Sequence, residues 1–200
     1  MEATEKSLSY NEEPNPYRRI TRRIDSMRIR HNQKRDLDVN ISFAKDMNVN
    51  KEIAVRAGAI IYTHKNGETL FCLGIDTHSG NITDFGGGVK KEETIIEGGL
   101  RELEEESQSV FGTLTPKDVE DSVIFHCYNM AIMFIPMDVD PTSISNTFKK
   151  NVANCPEPEV CGIVWLTTKE LLESIHGRGN KMYVRVRRLL NKVTTTISEL

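Results

Sequence analysis

The 200-residue chain has 38% hydrophobic and 28% charged residues and a formal charge of -3, a composition that fits one globular domain able to bury a sizeable core. No run approaches the roughly 20 apolar residues of a bilayer span, and the polar start Met1 to Glu13 lacks an apolar secretory segment. No membrane is therefore expected, and a cytoplasmic address is, with the nucleus as the alternative. Cys72, Cys127, Cys155 and Cys161 form no Cys-x-x-Cys pair and read as free thiols, and the five scattered histidines show no ligand spacing.

Charge is unevenly placed along the chain. Residues 1 to 16 are rich in Glu, Asn, Ser and Pro and bury too little to offset the entropy of ordering. From Tyr17 to Arg35 there are eight Lys or Arg residues against one acid, Asp25. That stretch, Arg18 to Arg35, carries a field suited to an RNA or phosphate partner, although a solvated helix, a protein-facing helix and a targeting signal have the same composition. Residues 1–50 are thus read as a polar and then basic extension, partly disordered, and 51–200 as the globular domain.

The globular pattern begins near Ile53. Ala54 to Thr63 and Thr69 to Ile75 flank Asn66-Gly67 and predict a β-hairpin. A short strand is expected over Asn81 to Phe85, running into Gly86-Gly87-Gly88, and a helix from Thr94 to Ser107. Ser122 to Val139 reads as one long or two short strands, and Val160 to Leu166 as another. Thr167 or Thr168 caps a helix ending near His176-Gly177. Met182, Val186, Leu189, Leu190 and Val193 have the spacing of one last amphipathic helix. Strands and helices interleaved without regular βαβ units argue for an α/β sandwich with a mixed sheet. Trp165, Tyr62, Phe71 and Phe85 read as packing residues.

The segment Gly87 to Glu106 concentrates the chemistry. On a helix, Ile96, Leu100 and Leu103 form an apolar stripe, while Glu102, Glu105 and Glu106 share an arc of about 100° on another side. Like charges at these spacings destabilise a helix by a few tenths of a kcal/mol per pair, so a cation is expected among them. Hard oxygen ligands suit Mg²⁺ or Mn²⁺. The preceding glycines let a ligand approach the backbone or offer it a carbonyl, which makes Gly87, Gly88 and the neighbouring Lys90 candidate substrate-binding positions.

Gly87, five residues, Glu93, seven residues, Arg101-Glu102-Leu103, one residue, Glu105-Glu106 resembles the Nudix box, G-x5-E-x7-R-E-U-x-E-E-x-G-U. The departures are Gln108 at the final glycine and Ser109 at the final aliphatic position. The resemblance implies a Nudix α/β/α sandwich and a metal-dependent pyrophosphohydrolase. It implies that Glu102, Glu105 and Glu106 ligate metal, with Gly86 offering its carbonyl, that Arg101 holds a box glutamate in place, and that Glu93 is an auxiliary carboxylate. A general base on a later loop is also implied, and Glu157 or Glu159, before the Val160 strand, is so placed, with Glu159 the expected base.

Substrates open to such an enzyme are nucleoside-diphosphate-linked small molecules and capped mRNA. Inositol pyrophosphates are an alternative, because Gly86-Gly87-Gly88 resembles the run in their hydrolases. A catalytically weak module binding RNA or a protein is the other reading. The three glutamates argue against it, since a domain freed from metal catalysis has no need of their mutual repulsion.

Overall fold

The structure, a computed structural model, describes residues 39–47, 54–127 and 129–200. The acidic lead and the basic stretch Arg18 to Arg35 lie outside the described residues. Eight strands form one mixed sheet: β1 Asn40–Phe43, β2 Arg56–Lys65, β3 Glu68–Asp76, β4 Ile82–Thr83, β5 Phe85–Gly88, β6 Val123–Cys127, β7 Met130–Pro136 and β8 Val160–Thr167. Five α-helices accompany it among the described residues: α1 Ile95–Glu106, α2 Pro141–Val152, α3 Thr168–Ile175, α4 Val184–Leu190 and α5 Thr194–Glu199.

The expected hairpin is present as β2 and β3. Asn66 (φ 52) and Gly67 (φ 80) supply the two left-handed positions of the turn, which matches the twist of the flanking strands. β2 is the organising strand. On one side it runs parallel to β7, from Arg56 opposite Met130 to Tyr62 opposite Pro136. On the other, its first half pairs with β5 and its second half with β3, and β3 then carries β4 and β8. The glycine strand β5 is therefore wedged where β3 splays away from β2.

Alternation along β2 divides the interior in two. Ala57, Ala59 and Ile61 pack with Ile96, Leu100 and Leu103 of α1 and Phe148 of α2. Ile60 and Tyr62 point the other way, toward Leu171 and Ile175 of α3, Val186 and Leu190 of α4, and Ile197 of α5. Helices thus cover both faces of a mixed sheet, the α/β/α sandwich expected. No helix among the described residues is long and apolar enough to cross a membrane, and all four cysteines are free thiols.

Of the two readings open for Ser122 to Val139, the two short strands are found, paired as the antiparallel hairpin β6–β7. Other elements differ from the sequence reading. The single last helix is two short ones, α4 and α5, with a turn at Asn191–Val193, and Met182 instead bridges to Ile82 beside β4. The apolar spacing came from side chains that all face one core, which a broken helix satisfies as well as a continuous one. α2 was not anticipated, because Phe148 is its only buried residue; its signal was Asp140-Pro141, an N-cap followed by proline at the first helical position. β1 is an edge strand on β6, ahead of the apolar patterning, and its Ile41 and Phe43 remain exposed.

Candidate active site

The site grows from β5 and α1. Thr94 caps α1 by accepting from the Glu97 N–H while the Glu97 carboxylate accepts from the Thr94 N–H, a reciprocal cap that fixes where the helix starts. α1 then lies against β2, β5 and β7 through Ile96, Leu100, Leu103 and Gly99. A Cβ at Gly99 would stand 2.7 Å from the Met133 methyl group, so this glycine, costly in a free helix, permits the close approach.

Arg101 is the hub. Its Nε donates to Glu93 Oε1 at 2.6 Å and its Nη2 to Glu93 Oε2 at 3.1 Å. Nη1 donates to Glu102 at 2.7 Å and Glu105 at 3.1 Å, and Nη2 also reaches the Gly88 carbonyl at 2.8 Å. The Lys90 N–H donates to Glu93 as well. Arg101 hydrogen-bonding lowers the Glu93 carboxyl to about 2, against the opposing effect of burial, with the Lys90 N–H assisting.

Glu106 is half-buried, and its Oε2 accepts from the Gly86 N–H at 2.7 Å. Burial pushes its carboxyl up to about 8; that N–H and Arg56 act against the rise, while Asp84 and Glu102 add to it. Glu102 lies directly over Gly87, where an added Cβ would sit 2.5 Å from its Oε2. The space above Gly87 is a cradle that any larger residue would fill.

Two residues not anticipated from the sequence complete the arrangement. Arg56, at the start of β2, donates through both terminal nitrogens to Asp84 at 2.7 Å, and through Nη2 to the Gly86 carbonyl at 2.8 Å. The Asp84 side chain is 0% exposed and that of Arg56 12%. Gly86 is thereby clamped by its N–H to Glu106 and by its C=O to Arg56. The available signal was positional: a charge at the head of an apolar strand and an acid one residue before a buried phenylalanine, in a stretch otherwise without charge.

The six box residues Gly87, Glu93, Arg101, Glu102, Glu105 and Glu106, with Gly86 and Gly88, thus come together. Among the described residues, no three His, Cys, Asp or Glu side chains already stand as a cation site: Arg101 holds Glu93, Glu102 and Glu105, while Gly86 holds Glu106. Glu105 is the most accessible, with 57% of its side chain exposed. It borders a cleft of about 630 Å³ running from Arg101 and Gln108 to Asn151 and Asn154 beside α2. The Lys90 side chain is exposed. Glu157 and Glu159 are exposed before β8, and neither is joined to the glutamate cluster by a hydrogen bond or ion pair.

The box's final glycine position also has a structural counterpart. Gln108 (φ 56) and Ser109 (φ 57) are left-handed. The Ser109 N–H bonds to the Glu104 carbonyl and the Gln108 N–H to the Glu105 carbonyl, the Schellman pattern in which the first residue past the cap is usually glycine.

No protein-family model and no curated protein matches the chain. Similar solved structures include an Ap4A hydrolase of C. elegans, 16% identical, covering 72% of this chain and 99% of that one, with a TM-score of 0.44. The NUDIX domain of Shewanella oneidensis NrtR, solved with ADP ribose, is 11% identical over 74% of this chain and 90% of that one, with a TM-score of 0.45. The Bacillus subtilis pyrophosphohydrolase BsRppH is 14% identical over 80% and 89%, with a TM-score of 0.46.

Proposed function

We propose that this chain is a Nudix-type pyrophosphohydrolase that uses Mg²⁺ or Mn²⁺ to cleave a phosphoanhydride in a nucleoside-diphosphate-linked substrate. One observation carries the reading: residues scattered from Gly86 to Glu106 meet in a single oxygen-rich cradle between a side-chain-free strand and an acidic helix face. The donor set suits a hard cation, with carboxylates from Glu102, Glu105 and Glu106 and the Gly86 carbonyl, which has a second lone pair beside its bond from Arg56. The raised Glu106 carboxyl supports this, since a partly desolvated acid beside other carboxylates is ionised most readily next to positive charge.

A divalent cation bound there supplies charge neutralisation at bridging phosphate oxygens and a more acidic water. The chain's own residues do the rest. Arg101 orients Glu102 and Glu105 and keeps Glu93 ionised at the helix entrance. Arg56 and Asp84 hold the Gly86 peptide in place. The Gly87 and Gly88 backbone and the exposed Lys90 ammonium face incoming phosphate, and Glu159, at the mouth of β8, is the proposed proton acceptor.

The test is product release from a panel of nucleoside triphosphates, nucleotide sugars, dinucleoside polyphosphates, inositol pyrophosphates and cap-labelled RNA, each with Mg²⁺ and with Mn²⁺. Turnover of a nucleotide-derived member is expected. Release of labelled cap nucleotide would identify decapping, and selective turnover of an inositol pyrophosphate would move the substrate class. Turnover of no member would overturn the proposal in favour of a binding module.

A further inference from the structure

Between Glu173 and Glu199 the chain carries six basic residues and no acid: Arg178, Lys181, Arg185, Arg187, Arg188 and Lys192. All six are exposed, and among the described residues none makes an ion pair. A basic run inside a chain of net charge -3 would ordinarily be balanced by neighbouring carboxylates. Here it is not. α4 turns Val186, Leu189 and Leu190 into the core and leaves its arginines on the solvent side. Arg185 and Arg188, three residues apart, share one flank, with Lys192 in the following turn.

This surface is tied to the candidate site. The Ile82 N–H donates to the Lys181 carbonyl, and the Tyr183 N–H to the Ile82 carbonyl, each at 2.8 Å. β4 continues through Asp84 into the glycine strand. The guanidinium carbon of Arg56, which clamps Gly86, lies 6.0 Å from the centre of the Tyr183 ring. The cations therefore start beside the strand that feeds the site and run away from it along α4, which is about 10 Å long at 1.5 Å per residue.

From this geometry we infer that Lys181, Arg185, Arg188 and Lys192 form a docking surface for the phosphate backbone of single-stranded RNA leading to the site. Cations strung along a helix and its flanks suit a chain of phosphates more than a compact anion, which requires convergent donors. A lipid surface is disfavoured, because the apolar side of α4 is buried and Val184 is its only exposed large hydrophobic residue. The binding does not depend on the hydrolytic reading, and each can fail without the other.

The test uses the full chain and fluorescence anisotropy of a labelled single-stranded oligouridine at several salt concentrations. R185Q/R188Q/K192Q should weaken binding at least about tenfold and make the log–log salt slope shallower by about 2, at roughly 0.7 for each phosphate left without its cation. R185K/R188K should keep the affinity. Circular dichroism checks folding, and single K192Q and R185Q variants, each expected to weaken binding by a smaller factor, serve if the triple variant does not fold. Unchanged affinity in the triple variant would overturn the inference, as would loss of binding only on R18S/R19S/R22S/R23S. So would displacement of the RNA by inorganic tripolyphosphate at equal phosphate concentration, or a triple variant that loses binding to phosphatidylserine vesicles but not to RNA.

Discussion

Glu93 and Arg101 show how one side chain organises several others. The Glu93 carboxyl is held at about 2 by Arg101 in the folded state, against an ordinary value near 4.3 unfolded. A depressed folded value means that the unfolded chain binds the proton first, so this contribution to stability is complete above the unfolded value and is lost as pH falls from about 4.5 toward 2. Acid titration of unfolding should therefore show a shallower loss in Glu93→Gln than in the wild type over that window; parallel curves would mean that the Arg101 ion pair is not maintained in solution. Arg56 and Asp84 form the more buried pair. Asp84→Ala leaves a guanidinium with 12% of its side chain exposed facing an empty position, and truncation of one partner of a buried pair costs about 3–5 kcal/mol. Chemical denaturation should show a loss of that size, and a loss below about 1 kcal/mol would mean that water replaces the carboxylate.

α1 and β5 are the elements that make the candidate site, and the contact of β5 with β2 demands small residues on both sides. Gly58 of β2 stands opposite Gly86 of β5. A Cβ at Gly86 would lie 2.6 Å from the Gly58 Cα, closer than the two backbones allow. The far end of α1 is less well matched, because Gln108 occupies a left-handed position (φ 56) that favours glycine. Gln108→Gly should raise stability by about 1 kcal/mol, read as a higher thermal midpoint with unchanged helix content; a lower midpoint would show that the Gln108 side chain, which donates to the Glu105 carbonyl, contributes more than the strain costs. The departure from the box pattern thus falls on the helix exit and leaves the glutamates in place.

Across the whole molecule, the core was legible in the sequence wherever one face of an element is apolar and the other is not. The β2–β3 hairpin, α1, β8 and α3 all announce themselves by period or by turn and cap residues. α2 and the break between α4 and α5 do not, because the first buries a single side chain and the second interrupts a helix without interrupting the apolar face. The site was legible as a spacing of Gly, Glu and Arg positions. Arg56 and Asp84 were not, because their partnership joins residues 28 apart and depends on β5 being wedged beside β2, which no local pattern reveals. Whether the α1 glutamates act together as a metal-dependent catalyst is measured most directly by comparing product release by wild type and Glu105→Gln, with Mg²⁺ and with Mn²⁺, on the substrate the panel identifies. Glu105 is exposed and outside the core, so Glu105→Gln should keep the wild-type circular dichroism and thermal midpoint while losing at least about 100-fold in turnover, the several kcal/mol expected when a metal-dependent transition state loses a charged ligand. Metal-independent hydrolysis, or full activity in a folded Glu105→Gln protein, would contradict that joint action.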